Sequence, residues 1–529
     1  MHTEPVKSIL VVGGGSAGWM SACYLKKSFP DIDVTLIEAP TVPRIGVGEA
    51  TIPNLQTAFW DHLGIPEEEW MKSVNASFKM GIKFVDWSRN PDPDRDDYYY
   101  HLFGVMPECD GVPLSHYWVK NRLLGGEGER LDYACYKEPM MTDAAVSPRY
   151  LDGRRAAHYA WHFDVQKMAA FLQKVSEDLG VKYQTGYVES VSQNERGFIT
   201  DVKTRDGRTL SADMFIDCTG FRSVLLGKML GEEFIDMSDQ LLCDSAVATR
   251  LPYNERNTGP VPYTTATALR AGWCWNIPLL DRFGTGYVHS SDHTTMDEAV
   301  EEFAGHLGVD PDKQEWRKIR FRVGRMKRSW VKNCVAIGLS SNFLEPLEST
   351  SLYLTYGALY QLCRFFPDRS FSPALAEQFN NEIAYGYDDC KDFVQMHYIT
   401  TRRDDTSFWR ACQTDLKVSE RLQEKLRMYK AGLPINSLSS SSSHYYTNFE
   451  LEYRNFWTNG NYYSVLTGMG VYPDSVYSRL LYRSRSEEQA SQMFKRIRAQ
   501  GRQLASSLPP NDVFLRALHA KDSRIVFTN

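Results

Sequence analysis

The first forty residues place a strand, a glycine-rich turn, a helix and a second strand in succession, and this order constrains the fold more than any other feature. Ser8–Val12 is a short, β-branched apolar run that leads into the G-G-G-S-A-G turn at residues 13–18. Trp19–Phe29 follows with a helical pattern, and Val34–Ile37 is a second apolar run that ends at Glu38. The arrangement predicts a βαβ unit of a parallel sheet that binds a dinucleotide.

The glycines and the acid of this unit each suit a nucleotide. Gly13 allows a tight turn, Gly15 lets the backbone approach a pyrophosphate, and Gly18 lets the helix pack close to the strand. The helix N-terminus supplies N–H groups and a positive dipole end for the phosphates, and Glu38 can accept a hydrogen bond from a ribose hydroxyl. A G-x-G-x-x-G turn with its strand, helix and acid in place is a strong signal for nucleotide binding.

Two later runs extend this sheet. Met214–Asp217 and Cys334–Ile337 are buried-strand patterns that end in small residues, the second at Gly338. Asp164–Gly180 has an Asp cap, apolar residues at helical spacing and a terminal glycine, so it predicts a helix. Strands this far apart in the chain predict one dinucleotide-binding sheet that is interrupted by long insertions.

The character of the chain changes at about residue 350, where helical patterns take over. They cover residues 372–398, 419–431 and 486–504. Ser437–Ser443, nearly all serine, predicts a flexible loop. We therefore expect an α/β base over residues 1–350 and a mainly helical cap over residues 351–529.

Charge and cysteine usage exclude several classes of protein. The 529 residues include 60 Lys and Arg against 66 Asp and Glu, a net charge of −6, and show no basic stripe, so we expect no nucleic-acid partner. The ten cysteines are scattered without C-x-x-C, and neither a signal-peptide pattern nor an apolar run of 18 residues occurs. We expect a cytoplasmic protein with no membrane segment.

Aromatic residues make up 13% of the chain, which suits both cores and pockets for flat ligands.

Two other chemistries find no support in the sequence. His158 and His162 are four residues apart, but no third ligand with metal spacing is near, so core or hydrogen-bonding roles are favoured and no metal is expected. Residues 338–342 lack the second glycine of a nucleophile elbow, which argues against a hydrolase.

Three motifs together carry a resemblance to a known family. They are the G-x-G-x-x-G turn at Gly13–Gly18, the sequence W-C-W-N-I-P at residues 273–278, and F-L-E-P-L-E-S-T at residues 343–350. The second matches a W-x-W-x-I-P motif that separates halogenases from flavin monooxygenases, and the third matches the segment with the family's halide site and catalytic glutamate. The chain resembles flavin-dependent tryptophan halogenases, and most closely the tryptophan 7-halogenases, over essentially its whole length.

The resemblance implies a fold and an activity. The fold is α/β, with an FAD-binding, flavin-monooxygenase-like base and a helical C-terminal cap. The activity is the FADH2- and O2-dependent chlorination or bromination of the indole ring of free L-tryptophan at C7, as a step of secondary metabolism. A separate NADH-dependent flavin reductase would supply FADH2 by diffusion, halide would be converted to hypohalous acid, and the enzyme would be a homodimer.

The catalytic residues implied by the resemblance are a lysine and a glutamate. Lys79 would receive hypohalous acid at the substrate end of a tunnel, where its ammonium donates a hydrogen bond to the acid or its amine becomes a haloamine. Glu348 would raise the electrophilicity of the halogen or accept the proton that leaves the indole ring.

Binding residues also carry over from the family, position by position. For the indole ring they are His101, Phe103, Trp273, Trp275 and Trp457, and for the amino-acid end Tyr445, Tyr446, Glu452 and the backbone of Phe456. For FAD they are Gly13, Gly15, Ala17, Gly18, Glu38, Gly48, Glu49, Ala50, Gly338 and Leu339. Residues 46–50 resemble a strap that runs between the flavin and substrate sites of the family.

Two positions depart from related patterns. The halide cradle, a Thr-Gly pair in the family, is Thr350-Ser351, and a Cβ at that position costs on the order of 1–2 kcal/mol if φ is positive. We expect chloride or bromide binding with an altered affinity or preference. Leu339 stands where flavin hydroxylases place an aspartate, which favours a halogenase.

Three alternatives stay open at this stage. One is a tryptophan 6-halogenase, because close relatives act at C6 and the ring orientation cannot be read from the sequence. Another is a flavin-dependent monooxygenase of an aromatic substrate. The third is a flavoprotein that binds FAD without catalysis, although binding alone requires neither Lys79 nor Glu348.

Overall fold

A computed structural model describes residues 4–41, 49–126, 128–253, 259–436, 446 and 448–528 of the chain. The predicted loop at Ser437–Ser443 lies outside the described residues. Within the described residues the strands, in chain order, are β1 (Ser8–Val12), β2 (Asp33–Glu38), β3 (Glu49–Ala50), β4 (Ser77–Lys79), β5 (Gly81–Val85), β6 (Tyr98–Leu102), β7 (Glu108–Cys109), β8 (Val112–Pro113), β9 (Ala160–Phe163), β10 (Lys182–Thr185), β11 (Val188–Gln193), β12 (Ile199–Thr204), β13 (Thr209–Ser211), β14 (Met214–Asp217), β15 (Phe234–Asp236), β16 (Ser245–Pro252), β17 (Thr264–Leu269), β18 (Gly272–Pro278), β19 (Arg282–His289), β20 (Arg317–Arg320), β21 (Gly324–Met326), β22 (Trp330–Val331), β23 (Cys334–Ala336) and β24 (Asn342–Phe343).

The α-helices alternate with these strands at first and then dominate. In chain order they are α1 (Ser16–Ser28), α2 (Asp61–Leu63), α3 (Glu67–Ser73), α4 (Leu114–Leu123), α5 (Leu131–Cys135), α6 (Glu138–Asp143), α7 (Val165–Asp178), α8 (Met296–Leu307), α9 (Ser351–Arg364), α10 (Pro373–Ile399), α11 (Ser407–Thr414), α12 (Glu420–Lys430), α13 (Phe449–Tyr453), α14 (Asn459–Gly468), α15 (Ser484–Ser507) and α16 (Asn511–His519).

The predicted dinucleotide-binding sheet is present and has six strands in the order β10-β2-β1-β14-β23-β22. Its first five strands are parallel, and only the short β22 pairs antiparallel. β1 and β14, both predicted with their observed bounds, lie side by side at the centre, where continuous apolar runs are buried on both faces. The carboxyl ends of these parallel strands meet at one edge, which positions the glycine turn.

Helix α1 begins at Ser16, three residues before the predicted start at Trp19. Gly15 has extended backbone and is the N-cap residue, so Ser16, Ala17 and Gly18 already belong to the first turn. The turn therefore puts the free N–H groups of the helix directly after Gly15. Asp164 caps α7 as predicted, because its carboxylate accepts from the N–H groups of Gln166 and Lys167.

A second sheet of seven strands, in the order β20-β16-β19-β18-β17-β5-β6, faces the glycine turn with strand β18. This strand carries Trp273 and Trp275, and β6 at the sheet edge carries His101. A smaller sheet, β3-β9-β4, brings Glu49 and Lys79 to the same region. Three sheets thus meet around one space.

The C-terminal region is helical, as predicted from about residue 350. The patterns at 372–398, 419–431 and 486–504 correspond to α10, α12 and α15, and Ser419 caps α12 by accepting from the N–H of Leu422. The observed architecture confirms an α/β base with helices in the C-terminal region. The division into units at residue 350 stays a prediction.

All ten cysteines lie in the described part of the chain and are free thiols. That part holds no group of three His, Cys, Asp or Glu side chains placed to bind a metal ion. None of its helices has the length and apolar character needed to cross a membrane. His162 makes hydrogen bonds with Ser77 and Thr264, in agreement with a non-metal role.

Candidate active site

A cavity of about 620 Å³ opens where the glycine turn, β18 and the loop before α9 come together. It is lined by Gly13, Gly15, Ala17, Glu38, Glu49, Ala50, Trp273, Trp275, Gly338, Leu339, Ser349 and Ser351, among others. Most of the residues expected to hold FAD are thus brought to one cavity. Gly18 lies just below it in α1, and Gly48 lies outside the described residues.

The glycines of the turn differ in what surrounds them. Gly13 has a φ of +114°, and a Cβ there would overlap the carbonyl of Cys218. A Cβ on Gly18 would overlap the carbonyl of Gly13, so these two positions require glycine for the turn itself. A Cβ on Gly15 would meet no atom within 4 Å. The open space at Gly15, beside the N-terminus of α1, fits a pyrophosphate group.

Glu38 lies at the end of β2, where the ribose of a dinucleotide is expected. Its Oε2 accepts a hydrogen bond from the Tyr183 hydroxyl at 3.2 Å, and its side chain covers Gly14. At the opposite side of the cavity, Gly338 has a φ of +69°, and a Cβ there would lie 2.7 Å from the Cβ of Ala17. The cavity thus has an acid suited to the ribose, amide nitrogens suited to the phosphates and a close approach of the backbone. These are the features that binding of FAD requires.

The two tryptophans of the W-x-W-x-I-P motif form part of the cavity wall. Trp273 and Trp275, predicted to lie around or beside the indole, both line the cavity that contains the glycine turn. The Trp273 Nε1 donates a hydrogen bond to Oε1 of Glu345 at 2.9 Å, whereas the buried Nε1 of Trp275 has no hydrogen-bond partner among the described residues. The two rings therefore differ in what fixes them.

Lys79 lies behind this wall and is fully buried. Its Nζ donates to the carbonyl of Thr51 at 2.9 Å and to Oγ of Ser349 at 2.8 Å, and it lies 5.1 Å from the centre of the Phe103 ring. Burial lowers the pKa of Lys79 to about 7, although the nearby Glu348 carboxylate opposes this effect. The amine is therefore available near neutral pH, unlike that of a surface lysine.

Glu348 is the second buried ionisable group of this region, beside Lys79, and two histidines contact its carboxylate. Its Oε2 lies 2.9 Å from Nδ1 of His101, and its Oε1 lies 3.0 Å from Nε2 of His397. Burial alone would raise the pKa of Glu348, but His101 and His397 together lower it to about 2. The carboxylate stays ionised at neutral pH.

The direction of the hydrogen bonds of His101 follows from its neighbours. The Thr458 N–H donates to Oδ1 of Asn461 at 2.7 Å, so the amide nitrogen of Asn461 faces Nε2 of His101 at 2.9 Å. An amide nitrogen only donates, so Nε2 of His101 accepts and its proton sits on Nδ1, directed at Glu348. His101 thus presents a hydrogen-bond donor to the carboxylate.

Aromatic rings extend from this pair toward the C-terminal helices. Trp457 lies 6.2 Å from His101 and is stacked on Phe393 at 3.8 Å between ring centres. Phe456 packs edge-on against Trp457 at 4.6 Å. His101, Phe103, Trp457 and Phe456, all predicted to bind substrate, are therefore close to the Lys79 and Glu348 pair.

The residues expected at the amino-acid end meet one short segment after β3. Oε2 of Glu452 accepts a hydrogen bond from Nδ2 of Asn54, and the carbonyl of Tyr446 accepts one from the Thr57 hydroxyl at 3.1 Å. Tyr445 lies outside the described residues. Glu452 and Tyr446 are thus brought to the segment that contains Asn54 and Thr57.

The predicted halide cradle forms the start of α9. Ser351 is the first residue of this 14-residue helix and has right-handed backbone, so the strain considered for a positive φ does not arise there. The positive φ, +60°, belongs instead to Ser349. The Thr350 hydroxyl is buried and has no hydrogen-bond partner among the described residues. A donor without an acceptor beside a helix N-terminus fits a small anion.

Several residues that complete the site were not anticipated from the sequence. They are Thr51, Ser349, Glu345, His397 and Asn461. Glu345 and Ser349 fall inside a motif that had been singled out, and this position was an available signal. His397 and Asn461 lie in helices whose patterns indicate only burial, so no local signal distinguishes them.

Known proteins are similar to this chain over nearly its whole length. A protein-family model described as tryptophan halogenase matches residues 8–484. The chain is 48% identical over 532 residues to the tryptophan 7-halogenase KtzQ of Kutzneria sp. (strain 744), covering 98% of this chain and 99% of the relative. It is 46% identical over 525 residues to the tryptophan 6-halogenase ThaL of Streptomyces albogriseolus, covering 97% and 99%. The crystal structure of SttH, a tryptophan 6-halogenase from Streptomyces toxytricini, matches with a TM-score of 0.86 at 37% identity, covering 96% of this chain and 99% of that one.

Proposed function

The chain belongs to the tryptophan halogenase family and is a flavin-dependent halogenase, and we propose that it chlorinates or brominates free L-tryptophan at C7 of the indole ring. The observation that carries this proposal is the buried Lys79 amine beside the Glu348 carboxylate, behind the wall of a cavity that fits FAD. A protein that only binds flavin would gain nothing from burying this pair, because buried charges are costly.

We assign FAD to the 620 Å³ cavity. The residues proposed to hold it are Gly13, Gly15, Ala17, Gly18, Glu38, Gly48, Glu49, Ala50, Gly338 and Leu339. When bound in its reduced form, FAD supplies the activation of O2 that turns a halide into an electrophilic halogen species. The turn at Gly15 leaves room for the pyrophosphate, and Trp273 and Trp275 exclude water from the opposite wall.

For the halide, chloride or bromide, we propose the N-terminus of α9. The backbone N–H groups of Thr350 and Ser351 face no acceptor of a preceding helical turn, and the Thr350 hydroxyl adds a buried donor. Ser351 also lines the flavin cavity, so the halide would lie next to the flavin.

Lys79 would receive the halogen as a neutral amine. An amine has two N–H donors, and they match the two acceptors that surround Nζ, Thr51 O and Ser349 Oγ. The lone pair is then left for hypohalous acid: an N–X bond forms, the O–X bond breaks, and hydroxide takes the displaced amine proton to give water. The lysine thus holds the electrophile at a fixed point.

Glu348 would act on the ring once the C–X bond forms and the N–X bond breaks. Its ionised carboxylate stabilises the positive charge that develops on the indole, and it accepts the ring proton, which then returns to the Lys79 nitrogen. His101 and His397 keep the carboxylate oriented and ionised.

Substrate orientation would come from rings at one end and polar groups at the other. Phe103, His101 and Trp457 surround the ring position, and Glu452 suits the ammonium of an amino acid, with Tyr446, Tyr445 and the Phe456 backbone at the carboxylate. Identity to the 7-halogenase KtzQ supports C7; the 46% identity to ThaL supports C6 as the second candidate.

A separate NADH-dependent flavin reductase that releases FADH2 completes the proposed system. The homodimer, the cytoplasmic location and the role in secondary metabolism stay predictions from the resemblance.

The test is to incubate the protein with FAD, a flavin reductase, NADH, halide, O2 and tryptophan, and to analyse the product by mass spectrometry and NMR. Added halogen at C7 supports the proposal, halogen at C6 favours the second candidate, and added oxygen or unchanged tryptophan contradicts both. Lys79→Ala is expected to keep FAD binding and lose halogenation, whereas Lys83→Ala, at a half-exposed lysine of β5, keeps both. Retained halogenation in Lys79→Ala would remove this residue from the mechanism.

A further inference from the structure

Glu345 is a fully buried carboxyl that the mechanism above does not use. Its Oε1 accepts two hydrogen bonds, one from Nε1 of Trp273 at 2.9 Å and one from the hydroxyl of Tyr398. Trp273 lies on β18 and Tyr398 near the end of α10, so one oxygen joins the loop before α9 to both the second sheet and the C-terminal helices.

The loop at residues 344–350 has two faces. Leu344, Pro346, Leu347 and Ser349 line the flavin cavity. Glu345 and Glu348, which are not among the lining residues, make hydrogen bonds to Trp273 and Tyr398 and to His101. The loop is therefore fastened at two carboxylates three residues apart, and Ser349, which contacts Lys79, follows directly after the second.

The bonds to Glu345 are of a kind that fixes position. Burial raises the pKa of Glu345 to about 7, although the hydrogen bonds from Tyr398 and Trp273 oppose this effect. Its other oxygen, Oε2, has no hydrogen-bond partner in the described part of the chain. Burying an acid with one unsatisfied oxygen costs free energy, so we expect Glu345 to serve the position of the loop rather than the stability of the fold.

We propose that Glu345 is a positioning residue: through Trp273 and Tyr398 it sets the place of Glu348 and Ser349 relative to Lys79, and so couples flavin oxidation to halogen transfer. This inference rests on the proposed function. It also assigns a hydrogen bond to Trp273, the first tryptophan of the W-x-W-x-I-P motif. The second, Trp275, does not share this role, because its N–H has no partner among the described residues.

Two measurements test the proposal. The first is the yield of halogenated product per O2 consumed, at saturating tryptophan and halide. Glu345→Ala is expected to lower this yield about tenfold while the KM for tryptophan and the affinity for FAD stay within about twofold. Glu345→Gln, which keeps an acceptor oxygen for Trp273 and Tyr398, is expected to recover most of the yield.

A double-mutant cycle checks that Trp273 is the partner. Trp273→Phe and Glu345→Ala break the same bond, so their effects on the yield are expected not to add. Trp275→Phe combined with Glu345→Ala is expected to be additive, because the Trp275 N–H contacts no acceptor there. Additive effects in the first pair would overturn the assignment.

The second measurement is amide hydrogen exchange of residues 344–350 in the protein without ligands. Glu345→Ala and Trp273→Phe are expected to speed exchange of this loop at least tenfold, and Glu345→Gln is not. Hydrogen exchange tests the position of the loop even if the wild-type protein forms no halogenated tryptophan. That outcome would contradict the proposed function but not the positioning role of Glu345. Unchanged exchange, an unchanged yield, or equal losses in the Ala and Gln variants would each overturn the positioning role.

Discussion

Nζ of Lys79 and Oγ of Ser349 lie 2.8 Å apart although 270 residues separate them in the chain. The bond joins β4 to the loop that also carries Glu348, and Ser349 lines the flavin cavity at the same time. The lysine proposed to receive the halogen is therefore attached to the wall of the cavity proposed for FAD.

The rate of halogenation should rise with pH through neutrality. Burial lowers the pKa of Lys79 to about 7, so raising the pH from 6 to 8 increases the amine fraction about tenfold. We expect kcat for halogenation, measured with reduced FAD in excess, to follow that increase. Glu345→Gln and Glu49→Gln remove the carboxyls whose pKa burial also raises to about 7 and should keep the inflection. A rate that falls with pH would favour the ammonium form of Lys79.

Gly15→Ala should weaken FAD binding without disturbing the fold. A methyl group there meets no protein atom but occupies the space proposed for the pyrophosphate. We expect the FAD dissociation constant to rise at least tenfold, about 1.4 kcal/mol, with an unchanged melting temperature. Gly305→Ala, in equally open space within α8, is the matched control and should leave FAD binding unaltered. Equal FAD affinity in both variants would exclude Gly15 from the cofactor site.

Thr350→Val should raise the halide concentration needed for half-maximal rate by about five- to tenfold, the worth of one hydrogen bond. The lost hydroxyl has no partner among the described residues, so the stability of the halide-free protein should not fall. Thr467→Val removes a buried hydroxyl that bonds the Tyr463 carbonyl and serves as the comparison for a purely structural loss. An unaltered halide dependence in Thr350→Val would remove this hydroxyl from the halide site.

Ser351→Gly tests whether the serine modifies halide use. Because Ser351 has helical backbone, the exchange relieves no strain and mainly removes a side chain from the edge of the flavin cavity. We expect the ratio of chloride to bromide turnover to change, as measured by competition between the two ions. The same dependence on both ions in wild type and variant would show that the serine is silent.

His397→Leu should destabilise the protein, because it leaves the buried Glu348 with one histidine partner. Glu348 has a folded pKa of about 2, below its ordinary value of 4.5, so its contribution to stability is complete above pH 4.5 and is lost as the pH falls through 2. We expect a loss of about 1.5–3 kcal/mol at pH 7 by denaturant unfolding, the worth of one contact to a buried carboxylate, and this loss shrinks toward pH 2. His289→Leu, at a buried histidine whose ring nitrogens have no partner among the described residues, should cost much less. Equal losses in the two variants would contradict a contribution of His397 to the stability of Glu348.

The nucleotide-binding part could be predicted because its information is local. β1 and β14 have their predicted bounds, since a short β-branched run buried on both faces is distinctive. The start of α1 was placed three residues late, because Ser16, Ala17 and Gly18 resemble a turn in sequence but are helical behind the Gly15 cap. Such errors at boundaries leave the site in place.

The chemistry of the site depends on contacts that no local pattern encodes. The pKa of Lys79 follows from its burial, and its acceptors are 28 and 270 residues away. His397 carries no sequence signal, because one histidine in a buried helix face is usually a core residue. Glu345, in contrast, stands three residues before Glu348 in the same motif. A role for this second carboxylate could therefore have been predicted from the sequence.

The loop at residues 344–350 lines the cavity proposed for FAD and also contacts Lys79. This arrangement has a consequence for how such an enzyme can diversify. Side chains on the far face, such as those around His101 and Trp457, can be exchanged for a new aromatic compound while Leu344, Pro346 and Leu347 keep the oxidising compartment intact. Change of substrate and retention of the oxidant are thereby separable problems. Substitutions that change the substrate need not affect the oxidant, provided that the hydrogen bonds of Glu345, proposed to position the loop, are kept.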